Sequence, residues 1–280
     1  MKPFGPSGVP VPVIGQGTWD IPENGARRDQ AVRALRHGIE LGMTHVDTAE
    51  MYGGGRVEEI VGEAIAETPR ERLFITSKVL PGNANYSGVL AACERSLRRL
   101  RTEYVDLYLL HWPSSYPLEE TMRALEALVE QGKARFIGVS NFDVDGLREA
   151  QSYLRTVPLA CDQVLYHLNE RGPEAHVLPY CAKRTMAFVG YTPFGRGRFP
   201  RTQAQKGGVL GRIAAARGKT VRQVILNFLT REPNAFAIPK ASRIEHVDEN
   251  AGASGWTLNA EEIAAIDAAF PVHEGPLATL

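Results

Sequence analysis

The sequence predicts a closed (β/α)8 barrel forming one domain over residues 1–280. Three observations carry that expectation. Strand-like and helix-like segments alternate from end to end, the pattern of a parallel sheet covered by helices. No linker-like composition interrupts them. About eight strand–helix units fit this length, and the GxGxxG and GxxxxGK[ST] fingerprints of open nucleotide-binding sheets are absent.

Val11 to Gly17 is the first strand candidate, ending in Gly17-Thr18-Trp19. A helical pattern follows from Ala26 to Leu41, with Ala31, Leu35 and Ile39 on one face and Gly42 as its stop. Met43 to Asp47 reads as a short buried strand, and Gly53, Gly54 and Gly55 break the chain soon after. Val57, Ile60, Val61, Ala64 and Ile65 form the stripe of the next helix. Leu73 to Lys78 is a strand, and Val89 to Leu100 a helix with Val89, Cys93, Leu97 and Leu100 facing inward. Tyr104 to Trp112 is the strongest strand pattern, and Leu118 to Gln131 the helix after it. Ala134 to Ser140 is a strand and Asp143 to Leu154 a helix. Leu159 to Val164 and Ala187 to Thr192 are strands around a Pro-interrupted helical stretch near Ala175–Arg184. Val209 to Arg217 and Val221 to Arg231 read as helices, Ala235 to Pro239 as a last strand, and Ile244–Ala251 and Ala260–Phe270 as helical.

Acidic and basic residues balance at 32 each, so no global field favours nucleic acid or an anionic membrane. Arg95, Arg98, Arg99 and Arg101 cluster locally and read as the solvated face of a helix. Cys93, Cys161 and Cys181 are far apart and odd in number, which indicates neither a disulfide framework nor a thiol zinc site. Residues 1–12 lack an apolar signal core, and no apolar run reaches membrane-spanning length. The expectation is a soluble cytoplasmic protein, monomeric, with no nucleic-acid or membrane partner.

Active sites of such barrels lie at the C-terminal ends of the strands. Asp47 and Tyr52 follow the second barrel strand, Lys78 ends the third and His111 the fourth. Ser140 and Asn141 end the fifth, Gln163 the sixth, Tyr191 the seventh and Lys240 the eighth. Any one of these reads equally well as a satisfied core polar group, and Asp47 with Tyr52 alone as a loop acid and a capping phenol. A Lys and a His ending apolar strands cost free energy unless they are paired. A complementary acid, phenol, amine and imidazole at consecutive strand ends point instead to proton chemistry. A free phenol titrates near ~10, and a nearby ammonium lowers that value. Tyr52 is thus the expected general acid, Lys78 its activator, Asp47 the partner of Lys78, and His111 the group that orients a carbonyl.

These residues resemble the aldo-keto reductase family. The match runs through Gly17-Thr18-Trp19, Asp47-Thr48-Ala49-Glu50-Met51-Tyr52, Thr76-Ser77-Lys78 and Asp106-Leu107-Tyr108-Leu109-Leu110-His111-Trp112. It continues through Gly138-Val139-Ser140-Asn141-Phe142, Gln163, Tyr191-Thr192-Pro193-Phe194 and Ile238-Pro239-Lys240 to Glu249-Asn250, in the family's order and over nearly the whole chain. The resemblance implies a (β/α)8 barrel that binds NADPH across its strand ends and reduces aldehydes or ketones to alcohols. It implies that Asp47, Tyr52, Lys78 and His111 are the catalytic four. Ser140, Asn141 and Gln163 would hold the nicotinamide carboxamide while Tyr191 stacks on the ring. Gly17, Thr18, Trp19, Asp47, Thr192, Phe194, Arg196 and His246 would complete the cofactor contacts. Lys240, Ser242 and Arg243 match the grip on the adenosine 2′-phosphate, and Glu249 and Asn250 the adenine site. Gly195-Arg196-Gly197-Arg198 stands where the family has a loop that can cover the pyrophosphate, and it reads equally well as a plain surface loop.

Two positions depart from the family. His246 replaces the usual Arg near the adenine, and Ala241 the usual Ser after Lys240. Both weaken the case for strict NADPH selectivity, yet Lys240 and Arg243 still supply two cations, so NADPH is expected first and NADH is admitted. Trp19 and Trp112, with Tyr52 and His111 below, are the expected substrate contacts. Phe194 and Tyr86 could join them at the mouth. The short loop 113–116 and brief tail suggest an open pocket for several small or aromatic aldehydes. The stretch from Ile238-Pro239-Lys240-Ala241 through His246-Val247 to Phe270-Pro271 resembles bacterial reductases acting on methylglyoxal, which implies that class of substrate. A regulatory, redox-sensing protein of the same fold, like the potassium-channel beta subunits, is the alternative. A metal hydrolase using His45, Asp47 and His111 would need HxH or HExxH spacing, which is absent, so no metal is expected.

Overall fold

The computed structural model describes residues 1–197 and 205–279. Its strands are β1 (Lys2–Phe4), β2 (Val9–Val11), β3 (Gln16–Gly17), β4 (His45–Asp47), β5 (Phe74–Val79), β6 (Val105–Leu110), β7 (Ala134–Ser140), β8 (Cys161–Leu165), β9 (Ala187–Tyr191) and β10 (Ala235–Ile238). Strands β3 to β10 form one sheet in sequence order, every neighbouring pair parallel. The last edge meets the first: Ile14 bridges Ala237 and Gly17 bridges Lys240, with Gly15 N donating to Ala237 O at 2.8 Å. A β-carbon on Gly17 would meet Ile238 O at 2.5 Å, so the seam closes tightly only because that residue is glycine. The barrel expected from the alternation is present.

Helices α1 (Gly25–Glu40), α2 (Arg56–Ile65), α3 (Tyr86–Leu100), α4 (Leu118–Glu130), α5 (Val144–Ser152) and α6 (Val177–Lys183) each follow a barrel strand. Helices α7 (Gln205–Arg217) and α8 (Val221–Leu229) lie between β9 and β10, and α9 (Ile244–Ala251) and α10 (Ala260–Ala269) come last. Two cores result. The outer one joins the helix stripes to outward strand residues such as Ile75, Tyr108, Val164 and Phe188. The inner one holds Phe74, Leu107, Leu109, Cys161, Val189 and Phe236 inside the barrel.

The strand expected over 11–17 divides in two. Pro10 and Pro12 flank Val11, and the chain there is an arm of an antiparallel hairpin pairing β1 with β2, while the barrel strand is only Gln16–Gly17. The hairpin floors the barrel. Phe4 is fully buried and packs on Phe74 and Phe236 with ring centroids 4.7 and 5.0 Å away. The arginine cluster is only in part a solvated face: Arg98 and Arg101 are exposed, whereas Arg99 pairs with the fully buried Glu58 at 2.6 Å, and Arg95 with Glu50 at 3.2 Å.

Candidate active site

Alternation along the strands selects which side chains meet. Side chains two residues apart share a face, so Phe74 at the inner floor puts Thr76 and then Lys78 on the inner face higher up. The same step from Leu107 and Leu109 reaches His111, from His45 reaches Asp47, and from Cys161 reaches Gln163. Four strands thereby bring an amine, an imidazole, a carboxylate and an amide to one end of the barrel.

Lys78 and Asp47 are both buried, and the Lys78 Nζ donates to Asp47 Oδ1 at 2.5 Å. It also donates to the Thr48 main-chain oxygen at 2.8 Å and engages the Tyr52 hydroxyl. An ammonium has three donors, so Lys78 is satisfied. Burial works to lower its pKa, but Asp47 and Tyr52 outweigh that and hold it above the ordinary lysine value. Tyr52 differs from expectation. Burial pushes its phenol above the ordinary value, past the opposing pull of Lys78 and with help from Asp47. The residue is therefore a protonated phenol at neutral pH, the form that can give a proton.

His111 stands edge-on to Tyr52, ring centroids 5.7 Å apart. Burial, then the charge of Lys78, drives its pKa down to about 2, so the ring is neutral. Its Nδ1 is buried without a hydrogen-bond partner.

An amide cluster adjoins this group. Gln163 Nε2 donates to Asp47 Oδ2 at 2.8 Å, and Ser140 Oγ donates to the Gln163 main-chain oxygen at 2.7 Å. Asn141 takes the left-handed conformation at φ 64°, one that asparagine tolerates. Its Nδ2 donates to Ser140 Oγ and to His111 O, and its Oδ1 accepts from the Tyr191 hydroxyl at 2.8 Å. Thr18 Oγ1 donates to Asp47 O at 2.8 Å, which ties the loop after β3 to the carboxylate strand.

The remaining candidates surround this centre. Trp19 and Trp112 are exposed rim residues, and Trp112 packs on His111 at 4.8 Å. Arg196 lies over the Trp19 ring at 4.5 Å, while Arg198 lies outside the described residues. Thr192 and Phe194 follow β9 and are partly buried. Lys240 is exposed at the end of β10, beside the Gly17 bridge, and Ala241 and Ser242 lead into α9. Arg243 Nη2 approaches His246 Nε2 at 2.5 Å. Burial, then Arg243 and Arg222, lowers the His246 pKa, so that ring is uncharged at neutral pH. Glu249 is partly buried and pairs with Arg222 at 3.5 Å, and Asn250 is buried on α9. Sequence reasoning missed Arg222, whose guanidinium also lies 5.3 Å from the Phe194 ring centre. It also missed the Thr48 carbonyl; main-chain acceptors leave no sequence signal.

A profile of the Aldo/keto reductase family matches residues 13–270. The chain belongs to the aldo-keto reductase family. This reductase is 43% identical over 270 residues to methylglyoxal reductase YeaE of Escherichia coli, covering 96% of this chain and 95% of that protein. It is 37% identical over 264 residues to the glyoxal reductase of Bacillus subtilis, covering 94% and 90% of the two chains. An aldo-keto reductase from Klebsiella pneumoniae, solved in complex with NADPH, superposes with a TM-score of 0.92 at 42% identity over the whole of both chains. These relatives agree with the barrel that the alternation predicted and with the reductase class that the resemblance implied.

Proposed function

We propose that this aldo-keto reductase uses NADPH to reduce small aldehydes, α-oxoaldehydes such as methylglyoxal foremost, with Tyr52 as the general acid. The observation that carries the reading is Lys78, saturated between Asp47, Thr48 and a protonated Tyr52, beside a neutral imidazole. The donor set suits NADPH. Ser140, Asn141 and Gln163 offer an edge of amide and hydroxyl groups to a carboxamide, and the Tyr191 hydroxyl is tied to Asn141. Lys240 and Arg243 are exposed cations fit for a 2′-phosphate, with the Arg222–Glu249 pair behind them. When bound, NADPH supplies the hydride for the carbonyl carbon.

The chain's own groups then handle the oxygen. Tyr52 gives its proton to the developing alkoxide, and the Lys78 ammonium stabilises the phenolate left behind. Asp47 keeps Lys78 charged and fixed. His111, neutral, can donate one N–H to the same oxygen and so orients the carbonyl. The rim tryptophans Trp19 and Trp112 offer an apolar mouth open to small or aromatic aldehydes.

The similarity to methylglyoxal and glyoxal reductases supports the substrate class. The test is loss of NADPH absorbance with methylglyoxal and 4-nitrobenzaldehyde, with NADH and Tyr52→Phe alongside. Turnover that Tyr52→Phe abolishes while NADPH still binds is the expected result. Undiminished turnover in Tyr52→Phe would remove Tyr52 as the acid.

A further inference from the structure

Tyr52 sits just ahead of Gly53, Gly54 and Gly55, all with positive φ, so no side chain downstream ties its loop to the barrel until Arg56. Upstream the situation is the reverse. Glu50, two residues before Tyr52, is 8% exposed, and its carboxylate gathers three donors from outside its own loop. Leu80 N and Asn83 Nδ2 donate to its Oε1 at 2.8 and 2.9 Å, and Arg95 Nη2 to its Oε2 at 3.2 Å. Its own backbone N–H donates to Lys78 O at 3.3 Å. Leu80 lies two residues past Lys78, so the carboxylate fastens the loop bearing the phenol to the strand end bearing the ammonium.

We propose that Glu50 is a positioning residue for proton transfer: it holds Tyr52 against Lys78 without touching substrate or cofactor. The inference rests on Tyr52 being the acid. Its physical basis is that reaction rate depends steeply on alignment, a displacement of about 1 Å costing about 100-fold. Hydrogen bonds from three charged or polar donors define one loop position, whereas the glycines allow many. Most expected NADPH contacts lie at other strand ends, and Asp47, the one beside this loop, is held by Lys78 and Gln163 rather than by Glu50, so NADPH binding should survive loss of the pin.

The test compares Glu50→Ala and Glu50→Gln with the unaltered enzyme in kcat, aldehyde KM, NADPH Kd, solvent deuterium isotope effect and Tm. Glu50→Ala should lower kcat about 10- to 100-fold, leave NADPH Kd within about twofold of the parent's if its sites are intact, and raise the isotope effect as proton transfer becomes limiting. Glu50→Gln should recover much of kcat, since its oxygen still accepts from Leu80 N. If Glu50→Ala does not fold, Asn83→Ala and Arg95→Ala remove single donors and should each give a smaller kcat loss at unchanged NADPH Kd. Unchanged kcat in these variants overturns the proposal, as does an equal loss of kcat and NADPH binding. Tyr52→Phe separates the two failures: full activity there sinks the acid assignment, while an inactive Tyr52→Phe beside a normal Glu50→Ala sinks the pin alone.

Discussion

Gln163 donates its amide N–H to Asp47 Oδ2, the carboxylate whose other oxygen holds Lys78. One buried carboxylate therefore joins the amide cluster to Lys78, and through it to the proposed proton-transfer group. Gln163→Leu removes that donor and leaves Oδ2 buried and unpaired, at a cost of about 1–3 kcal/mol. Urea denaturation should register that loss. Titration of NADPH should show weaker binding, because the amide proposed to meet the nicotinamide carboxamide is lost as well. Unaltered NADPH affinity would detach Gln163 from the cofactor site.

Lys78→Met is expected to act on stability and on rate together. It strands the Asp47 charge in the barrel, and breaking one side of a buried pair costs about 3–5 kcal/mol. Adding Asp47→Asn should restore part of that stability, because no uncompensated charge remains. Activity should stay low in both variants, since neither retains the ammonium that stabilises the Tyr52 phenolate. Recovery of turnover in the double variant would contradict the role given to Lys78.

The proposed catalytic group drew notice in the sequence because Asp47, Lys78 and His111 lie at or just past the ends of apolar strands. A buried Lys or His there demands a partner, and Tyr52 follows on the loop after β4. The barrel was legible from alternation together with the count of about eight strand–helix units and the missing fingerprints of open nucleotide-binding sheets. What escaped the sequence has physical reasons. The β1–β2 hairpin is rich in Pro and Gly, so its pairing leaves no apolar alternation, yet Phe4 fills the barrel floor. Tyr52 ionises less readily than its neighbour suggested, because burial outweighs Lys78. Arg222 lies on α8, far in sequence from the α9 residues that it joins.

Lys240→Ala tests the phosphate assignment. An exposed cation at the barrel seam should contribute to a charged 2′-phosphate and little to a ribose hydroxyl. NADPH affinity should fall about 10-fold, in line with a charge-assisted hydrogen bond, while NADH affinity barely changes. Equal losses for both cofactors would refute the assignment.

His45 gives the fold an acid sensitivity of its own. The ring is fully buried, stands edge-on to Phe74 at 5.3 Å and reaches Thr76 Oγ1 at 3.4 Å. Burial drives its pKa down to about 4, past the opposing pull of Asp47 and with help from Lys78. An unfolded histidine titrates near ~6.5. Between those values the unfolded chain binds the extra proton, so stability is complete above the upper one and falls as pH drops toward the lower one. The shift corresponds to about 3 kcal/mol. His45→Phe keeps the aromatic packing and removes the titration. Urea denaturation from a pH of about 6.5 down to about 5, above the carboxylate range, should show a shallower loss of stability in this variant by about one proton. His111 leaves a residual slope of the same sign. An unchanged slope in His45→Phe would mean that its ring is not the group holding out against protonation.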